Sequence, residues 1–493
     1  MSGSAVPLFP CAVLDLLRSS PEGVAFEQGE RRVSRGELLE MIGRLAGALR
    51  AAGLGPGSGL AIRTAVSPEA FAAHIAAHVL GCRVVGVRPG YPAAQLVHVL
   101  GMGVDAILAD GSADLMGRRV LRLERLLDSG APPVLDVASR PGDVAMLTFT
   151  SGSTGRPKGC AITYRALSEH WSWQPALWSP PAREMAAGFG RYLLFGTLAS
   201  MVVLEFLALC LLGGGTAVIP EEDGDRPLFP YGIERHRITG SIITVPRLTR
   251  MLDVLRDEPV DVGRLRALMV SGSPLSPDRL AAAVERLGPV VYHGYGQTEA
   301  GSISILTPGE IARGPAHVLE SVGRPHPRVE IGIRDGEIRV RSPYQMSGYW
   351  GDDEETRATL RDGWLLTRDL GRVDEDGLLY LSGRARDVVM VNAMVVYAGP
   401  IERVLASHPG VVEAYVAGAP DEETGEAVHA FVVPADGGLP DAGELRDLVR
   451  AELGGDSVPR TVTAVSGVPM AATGKPDKAA LLSDRSLRIR REH

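Results

Sequence analysis

Residues 147–159 read LTFTSGSTGRPKG. Leu147 and Phe149, apolar residues of strand type, lead into a loop of Ser, Thr and Gly. Thr148, Thr150, Ser151, Ser153 and Thr154 offer hydroxyls, Gly152 and Gly155 let the backbone turn its N–H groups toward one point, and Lys158 adds one ammonium. Converging N–H groups, hydroxyls and a cation are what a polyphosphate needs. The loop is not a Walker loop, since no G-x-x-x-x-G-K-[ST] can be laid over it. A surface linker is the competing reading, but linkers are rarely entered from a strand and closed by Pro-Lys-Gly.

Two later stretches have the same character. Short apolar runs at 268–270 and 290–292 enter Ser271-Gly272-Ser273-Pro274 and His293-Gly294-Tyr295-Gly296-Gln297-Thr298-Glu299. Turns at the carboxyl ends of strands are where open α/β sheets place ligands. In the second turn Tyr295 can stack on a base and Glu299 can hold Mg²⁺ together with phosphate oxygens. Lysine usage also singles out positions. Of 51 Lys plus Arg, only Lys158, Lys475 and Lys478 are lysines. A position that stays lysine in an arginine-rich chain suits a task for a small point charge on a flexible stem.

The elements that must position these groups follow from the pattern of the chain. Its 493 residues suffice for about three domain-sized units. A net charge of −8 argues against a nucleic-acid surface. Cys11, Cys82, Cys160 and Cys210 are scattered without metal-site spacing. The first residues lack a basic leader, so a cytoplasmic protein is expected. Ser34 and Glu37 make a capping box for a helix carrying Leu38, Ile42, Leu45 and Leu49, stopped at Gly53. Strand-like runs near 60–62 and 84–87 flank a second helix from Ser67, so the first part is expected to be α/β with a largely parallel sheet. Residues 169–178 hold Trp171, Trp173 and Trp178 beside His170, either an aromatic core patch or the rim of an organic-substrate pocket. Residues 192–212 have Glu205 as their only charge. The run is expected as a buried helix rather than a membrane span, because Glu205 would sit deep in lipid. From 329 to 380 short alternating runs with Asp335-Gly336 and Asp376-Gly377 hairpin signals predict a small antiparallel sheet or barrel, with Asp369 at the end of one run. Mixed α/β texture returns after 386.

Five motifs, LTFTSGSTGRPKG, YGQTE, the Asp369 segment LLTRDLG, GRARD and ATGKPDKAAL, occur in an order and spacing that resemble the adenylate-forming superfamily of acyl-CoA synthetases, adenylation domains and luciferases. The resemblance covers nearly the whole chain. It implies an α/β fold: a large N-terminal domain of stacked α/β subdomains plus a small β-barrel-like subdomain over residues 1–385, then a small mobile α+β domain over 386–493. It implies ATP, Mg²⁺, a small-molecule carboxylic acid, and coenzyme A or a phosphopantetheinyl acyl carrier protein as acceptor. By the same resemblance Thr150, Ser151, Gly152, Ser153, Thr154, Gly155 and Lys158 match the loop on the β- and γ-phosphates. Gly272, Ser273 and Pro274 match the adenine-side turn, and His293, Gly294, Tyr295, Gly296 and Gln297 the strand end packing on adenine. Thr298 matches the α-phosphate contact, Glu299 the Mg²⁺ ligand, and Asp369 with Arg384 the ribose contacts. Lys475 matches the lysine of the mobile domain that bridges carboxylate and α-phosphate. Arg191, Phe195, Gly294 and Ser302 are the candidate acid-pocket residues.

Three departures bear on the reaction. The stretch GFGRYLLFGTLAS lacks the His that many relatives carry near the carboxylate, and Arg191 there suits either a substrate acid or a structural ion pair. The hinge position is Arg386 in place of Asp or Lys. Asn392-Ala393-Met394 stands where many thioester-forming relatives have Ser-Gly-Gly, and Met394 would narrow a pantetheine tunnel. The expected reaction is acid, ATP and thiol giving thioester, AMP and pyrophosphate. Discharge onto an amine or of nitrite, and a nucleotide-binding pseudoenzyme, are the rivals.

Overall fold

Local signals start the main helices. The Ser34 hydroxyl accepts the Glu37 N–H (3.1 Å) and the Glu37 carboxylate accepts the Ser34 N–H (2.7 Å), which opens the helix Arg35–Ala51. Leu38, Ile42, Leu45 and Leu49 form its buried face, and Gly53, at φ +78°, turns the chain away. Ser67 caps Pro68–Val79, a helix buried at every position but Glu69. Burial on all sides marks a helix held between two layers.

The computed structural model describes residues 6–483 apart from 89, 90, 92, 112–116, 151–156, 222–225, 273, 274, 385–387, 392, 393, 422, 423, 436, 437, 439 and 470–475. Among these, the strands form four sheets. The first runs in the order Arg324–Pro325, Gly301–Leu306, Val291–Gln297, Ala267–Ser271, Gly240–Thr244, Arg191–Leu193, Thr216–Ile219, Val24–Gln28 and Arg31–Ser34. It is parallel from Val291–Gln297 through Val24–Gln28 and antiparallel at both margins. The second runs Gly348–Tyr349, Lys158–Thr163, Val144–Thr150, Arg83–Gly86, Gly59–Arg63, Ala106–Ala109 and Val120–Arg122. The largest core joins Phe26 and Ala217 of the first sheet to Leu60 and Val84 of the second through Leu45, Phe71 and Phe206 of the intervening helices. Two α/β layers therefore share one hydrophobic interior, as expected for stacked subdomains.

Residues 192–212 depart from the single helix expected. They comprise most of the strand Arg191–Leu193, a connector with Gly196 at φ +96°, and the helix Met201–Leu212. An apolar run without a period does not separate strand from helix, and pairing with Thr216–Ile219 and Gly240–Thr244 decides it. The helix is 12 residues long and buries Glu205. Among the described residues, no helix is long and apolar enough to cross a membrane.

The third sheet is antiparallel, with Glu330–Arg334, Glu337–Arg341, Trp364–Val373 and Leu360–Arg361 in order and Leu379–Arg384 also paired to Trp364–Val373. Asp335-Gly336 makes the first hairpin turn, with both residues at positive φ. Asp369 lies within a strand, not at its end. The fourth sheet draws only on residues 388–464. Helices Ala398–Ser407 and Ala442–Leu453 supply Ile401, Leu405, Leu445 and Val449 to its core. This unit meets the larger one where the Arg279 guanidinium donates to the Val411 carbonyl (2.8 Å).

Candidate active site

The phosphate-type loop joins Val144–Thr150 to Lys158–Thr163, with Thr150 opposite Lys158 in register. Ser151, Gly152, Ser153, Thr154 and Gly155 lie outside the described residues. The short strand Gly348–Tyr349 pairs on the far side of Lys158–Thr163, Tyr349 opposite Cys160. That pairing brings the Tyr349 ring within 5.4 Å of the Lys158 ammonium. The Tyr349 hydroxyl donates to Glu299 Oε1 (2.9 Å), and the Met346 N–H donates to the Glu299 carbonyl (2.9 Å). Burial, and then the Glu299 charge, push the Tyr349 phenol far up, so it stays a donor. The Lys158 ammonium reaches Glu355 Oε1 at 2.9 Å, and the Arg368 guanidinium reaches the same oxygen at 2.8 Å. Burial opposes the charge on Glu355, but the hydrogen bonds from Lys158 and Arg368 hold its carboxyl below the usual range.

The second part is a β-hairpin where a turn was expected. Val291–Gln297 continues as a strand through the glycines and pairs with Gly301–Leu306, with a bulge between Tyr295 and Gly296. The two glycines serve close approach. A Cβ on Gly294 would lie 1.9 Å from Met269 Cε, and one on Gly296 would lie 2.6 Å from the Gly301 carbonyl oxygen. Thr298 and Glu299 then sit half-buried in the hairpin turn. The Tyr295 hydroxyl donates to Asp369 Oδ2 (2.7 Å) and the Gln297 amide to the same oxygen (2.5 Å). Asp369 is 5% exposed and stands opposite Arg384 in register. Gly272 ends Ala267–Ser271 at φ +100°, while Ser273 and Pro274 lie outside the described residues. His293 is buried, and burial lowers its imidazole to about 4. It lies in the first strand of the hairpin, opposite Leu306.

Beneath the hairpin, Ser302, Glu205 and His170 join in a polar cluster. The Ser302 hydroxyl donates to Glu205 Oε2 (3.0 Å), and His170 Nε2 lies 2.9 Å from Glu205 Oε1. The Ser172 N–H donates to His170 Nδ1 (3.3 Å), and the Tyr344 hydroxyl donates to the Ser302 carbonyl (2.9 Å). His170 and Glu205 are each 1% exposed, and the Tyr344 ring packs 4.5 Å from the imidazole. The tryptophans resolve as core: Trp171 and Trp173 are buried, and Trp171 stacks on His326 at 4.8 Å. Glu205, as the one charge in an apolar run, and His170, beside the tryptophans, were the signals for this cluster.

Arg191 is the clear correction. Its guanidinium bonds Glu27 (2.7 Å) and the His236 carbonyl (3.2 Å). It begins the internal strand Arg191–Leu193, at the amino ends of the parallel strands, whereas Gly272 and Gln297 lie at carboxyl ends. Arg191 therefore takes the second of its two expected roles, a structural ion pair. Phe195 follows that strand on the other side, 5.1 Å from the Phe229 ring and under the Arg247 guanidinium. Lys475, Arg386, Asn392 and Ala393 lie outside the described residues, as does the side chain of Arg384.

Two stacked α/β sheets, joined at their strand ends by Tyr349 and Glu299, define an enzyme of the nucleotide-binding α/β class. The chain belongs to the adenylate-forming superfamily: residues 16–350 match the AMP-binding enzyme family and residues 400–475 the AMP-binding enzyme C-terminal domain. It is 31% identical to the feruloyl-CoA synthase of an Amycolatopsis species, over 93% of this chain and 95% of that protein. The solved amide bond synthetase McbA from Marinactinospora thermotolerans is 34% identical, with a TM-score of 0.83, over 96% of this chain and 99% of that one. The o-succinylbenzoate CoA synthetase of Bacillus subtilis, solved with its acyl-adenylate, is 26% identical with a TM-score of 0.83, over 97% and 99% of the two chains.

Proposed function

We propose that the protein activates an aromatic or apolar carboxylic acid as its acyl-adenylate and passes the acyl group to a thiol, coenzyme A or a carrier-protein pantetheine. The observation that carries this reading is the convergence of Lys158, Glu299 and Asp369, from three separate stretches of chain, through Tyr349 and Tyr295. In the first step a carboxylate oxygen attacks the α-phosphorus of ATP, the bond to the bridging oxygen breaks, and pyrophosphate leaves. Lys158 and the loop 150–155 hold the β- and γ-phosphates, Asp369 and Arg384 the ribose hydroxyls, and Tyr295 with the Gly272–Pro274 turn the adenine. Thr298 contacts the α-phosphate, and Lys475 places its ammonium between the attacking oxygen and that phosphate. Charge gathers at those oxygens in the transition state, so the work is positioning and cation placement. In the second step a thiolate attacks the acyl carbonyl and AMP leaves.

Mg²⁺ fits this arrangement through Glu299 together with phosphate oxygens, which suits an ion that keeps few protein ligands. Bound there, it would neutralise charge on the leaving pyrophosphate. Among the described residues, no group of three or more His, Cys, Asp or Glu could form a metal site of its own.

A second reading has its own support. The amide bond synthetase is 34% identical to this chain, and Asn392-Ala393-Met394 replaces the Ser-Gly-Gly of many thioester-forming relatives. Here the adenylate discharges onto an amine. The deciding assay is acid-dependent pyrophosphate release over a panel of aryl, aliphatic and amino acids, run with no acceptor, with coenzyme A, and with an amine or nitrite. Acceleration by coenzyme A supports the thiol ligase. Release that ignores coenzyme A and responds to an amine or nitrite moves the assignment to the second reading. No release with any acid leaves a nucleotide-binding pseudoenzyme.

A further inference from the structure

Arg368 is an unusual residue in an unusual place. It precedes Asp369, and its backbone is in the left-handed region at φ +60°, where a long side chain is strained. Such strain persists where the surroundings fix the residue, and it gathers at functional sites. The Arg368 guanidinium meets Glu355 Oε1 (2.8 Å) and the Thr359 hydroxyl (3.3 Å). The same Glu355 oxygen holds the Lys158 ammonium at 2.9 Å. One carboxylate, on the helix Asp353–Thr359, therefore gathers two cations from two different sheets beside the hairpin of the phosphate loop. The three side chains are between 19% and 27% exposed, open enough for an anion to exchange with the carboxylate.

We propose that Arg368 is a second cation for the leaving pyrophosphate, and that Glu355 stands in for phosphate oxygens, holding Arg368 and Lys158 together until the nucleotide arrives. The inference rests on the assignment of Lys158 to the β- and γ-phosphates. Two cations sharing one carboxylate oxygen suit an anion with several oxygens, and a guanidinium fork grips phosphate more rigidly than an ammonium. Arg368 also ties the phosphate end of the site to the ribose end, because it is bonded in sequence to Asp369.

The test compares wild type, Arg368→Gly and Glu355→Gln as full chains, with Mg-pyrophosphate and AMP as separate calorimetric ligands and the KM for ATP alongside. Glycine accepts φ +60° without strain, so the variant removes the side chain without disturbing the backbone, and a purely structural Arg368 predicts a change confined to thermal stability, with ligand affinity unchanged. The proposal predicts that Arg368→Gly weakens pyrophosphate binding and raises the KM for ATP about tenfold, the scale of one charged hydrogen bond, with AMP affinity within about twofold. Glu355→Gln, which removes the competing charge, should tighten pyrophosphate binding severalfold. Unchanged pyrophosphate affinity in Arg368→Gly, or equal loss for AMP and pyrophosphate, overturns the proposal. A wild type that binds neither AMP nor pyrophosphate instead overturns the nucleotide reading on which it rests.

Discussion

Asp369 Oδ2 accepts from both Tyr295 and Gln297, so the carboxylate proposed to meet the ribose hydroxyls is held in one orientation. Such preorganisation is what positioning catalysis requires. The lysines carry the complementary requirement for a charge that arrives and leaves. Lys158 is held at Glu355, and Lys478 at Glu402 (2.7 Å) beside the segment containing Lys475. If Lys475 bridges the attacking carboxylate and the α-phosphate, Lys475→Ala abolishes adenylation, by 10² or more in rate, while ATP affinity stays near wild type. Pyrophosphate release and equilibrium ATP binding check this, and equal loss of both would misplace the lysine. Lys475→Arg should also be poorly active, because a rigid fork replaces a point charge. Lys158, Glu299 and Asp369, the residues of the proposed site, stood out because each sits in a recognisable local motif. Tyr349 and Glu355 did not, because strand pairing and a separate helix bring them to the site, and Arg368, although next to Asp369, gains its role only through the partner that helix supplies. Arg191 misled for the same reason: its place at the strand's amino end is a matter of sheet direction.

At the scale of elements, the helix Met201–Leu212 does more than fill the core. It carries Glu205 under the hairpin that bears Tyr295, Gln297 and Glu299, and Ser302 on the return strand bonds to it. Glu205→Ala strands the Ser302 hydroxyl and the His170 imidazole in a dry cavity, so a loss of about 3 kcal/mol is expected. Urea denaturation measures it, and an unchanged midpoint would mean that the cluster adds no net stability. Glu205→Gln, which keeps an acceptor for Ser302, should cost less. Capping boxes and hairpin turns were legible here, since Ser34 with Glu37 and Asp335-Gly336 specify their geometry within a few residues. The Gly-rich strand 293–297 was not. Its glycines answer to Met269 and the Gly301 carbonyl, contacts that exist only once the hairpin is folded.

For the whole molecule, the buried histidines set a pH limit. Burial lowers His74 and His293 to about 4; burial, with His74, lowers His78 to about 3; and burial, with His170, lowers His326 to about 3. Unfolded imidazoles take up protons near pH 6.5 and these folded ones do not, so the unfolded state binds more protons below that value. Stability is therefore complete above about pH 6.5 and falls as the pH drops toward 3–4, each histidine adding roughly 1.4 kcal/mol per pH unit to the slope. Urea midpoints at pH 7, 6 and 5 read this in a window mostly above the carboxylates. A flat profile would mean that the imidazoles take up protons in the native protein over the same pH range as in the unfolded chain. An α/β layer was legible in the alternating helices and strands and the stacking of subdomains came with the family resemblance, but the helices that join the two sheets were not, because that depends on which sheet each helix faces.

The two-residue strand Gly348–Tyr349 acts as a selvedge. It finishes the weave of the second sheet, so the outer backbone of the hairpin behind the phosphate loop is sewn down rather than left as an open template. The stitch is made by chain that lies more than 180 residues further on, just before the segment carrying Glu355 and Arg368. A ribosome that has released only the first 340 residues holds a phosphate hairpin with a raw hem, ready to pair with any passing strand. The nucleotide site is thus finished late in synthesis, and a fragment cut before Gly348 should fray into aggregates rather than persist as half an enzyme.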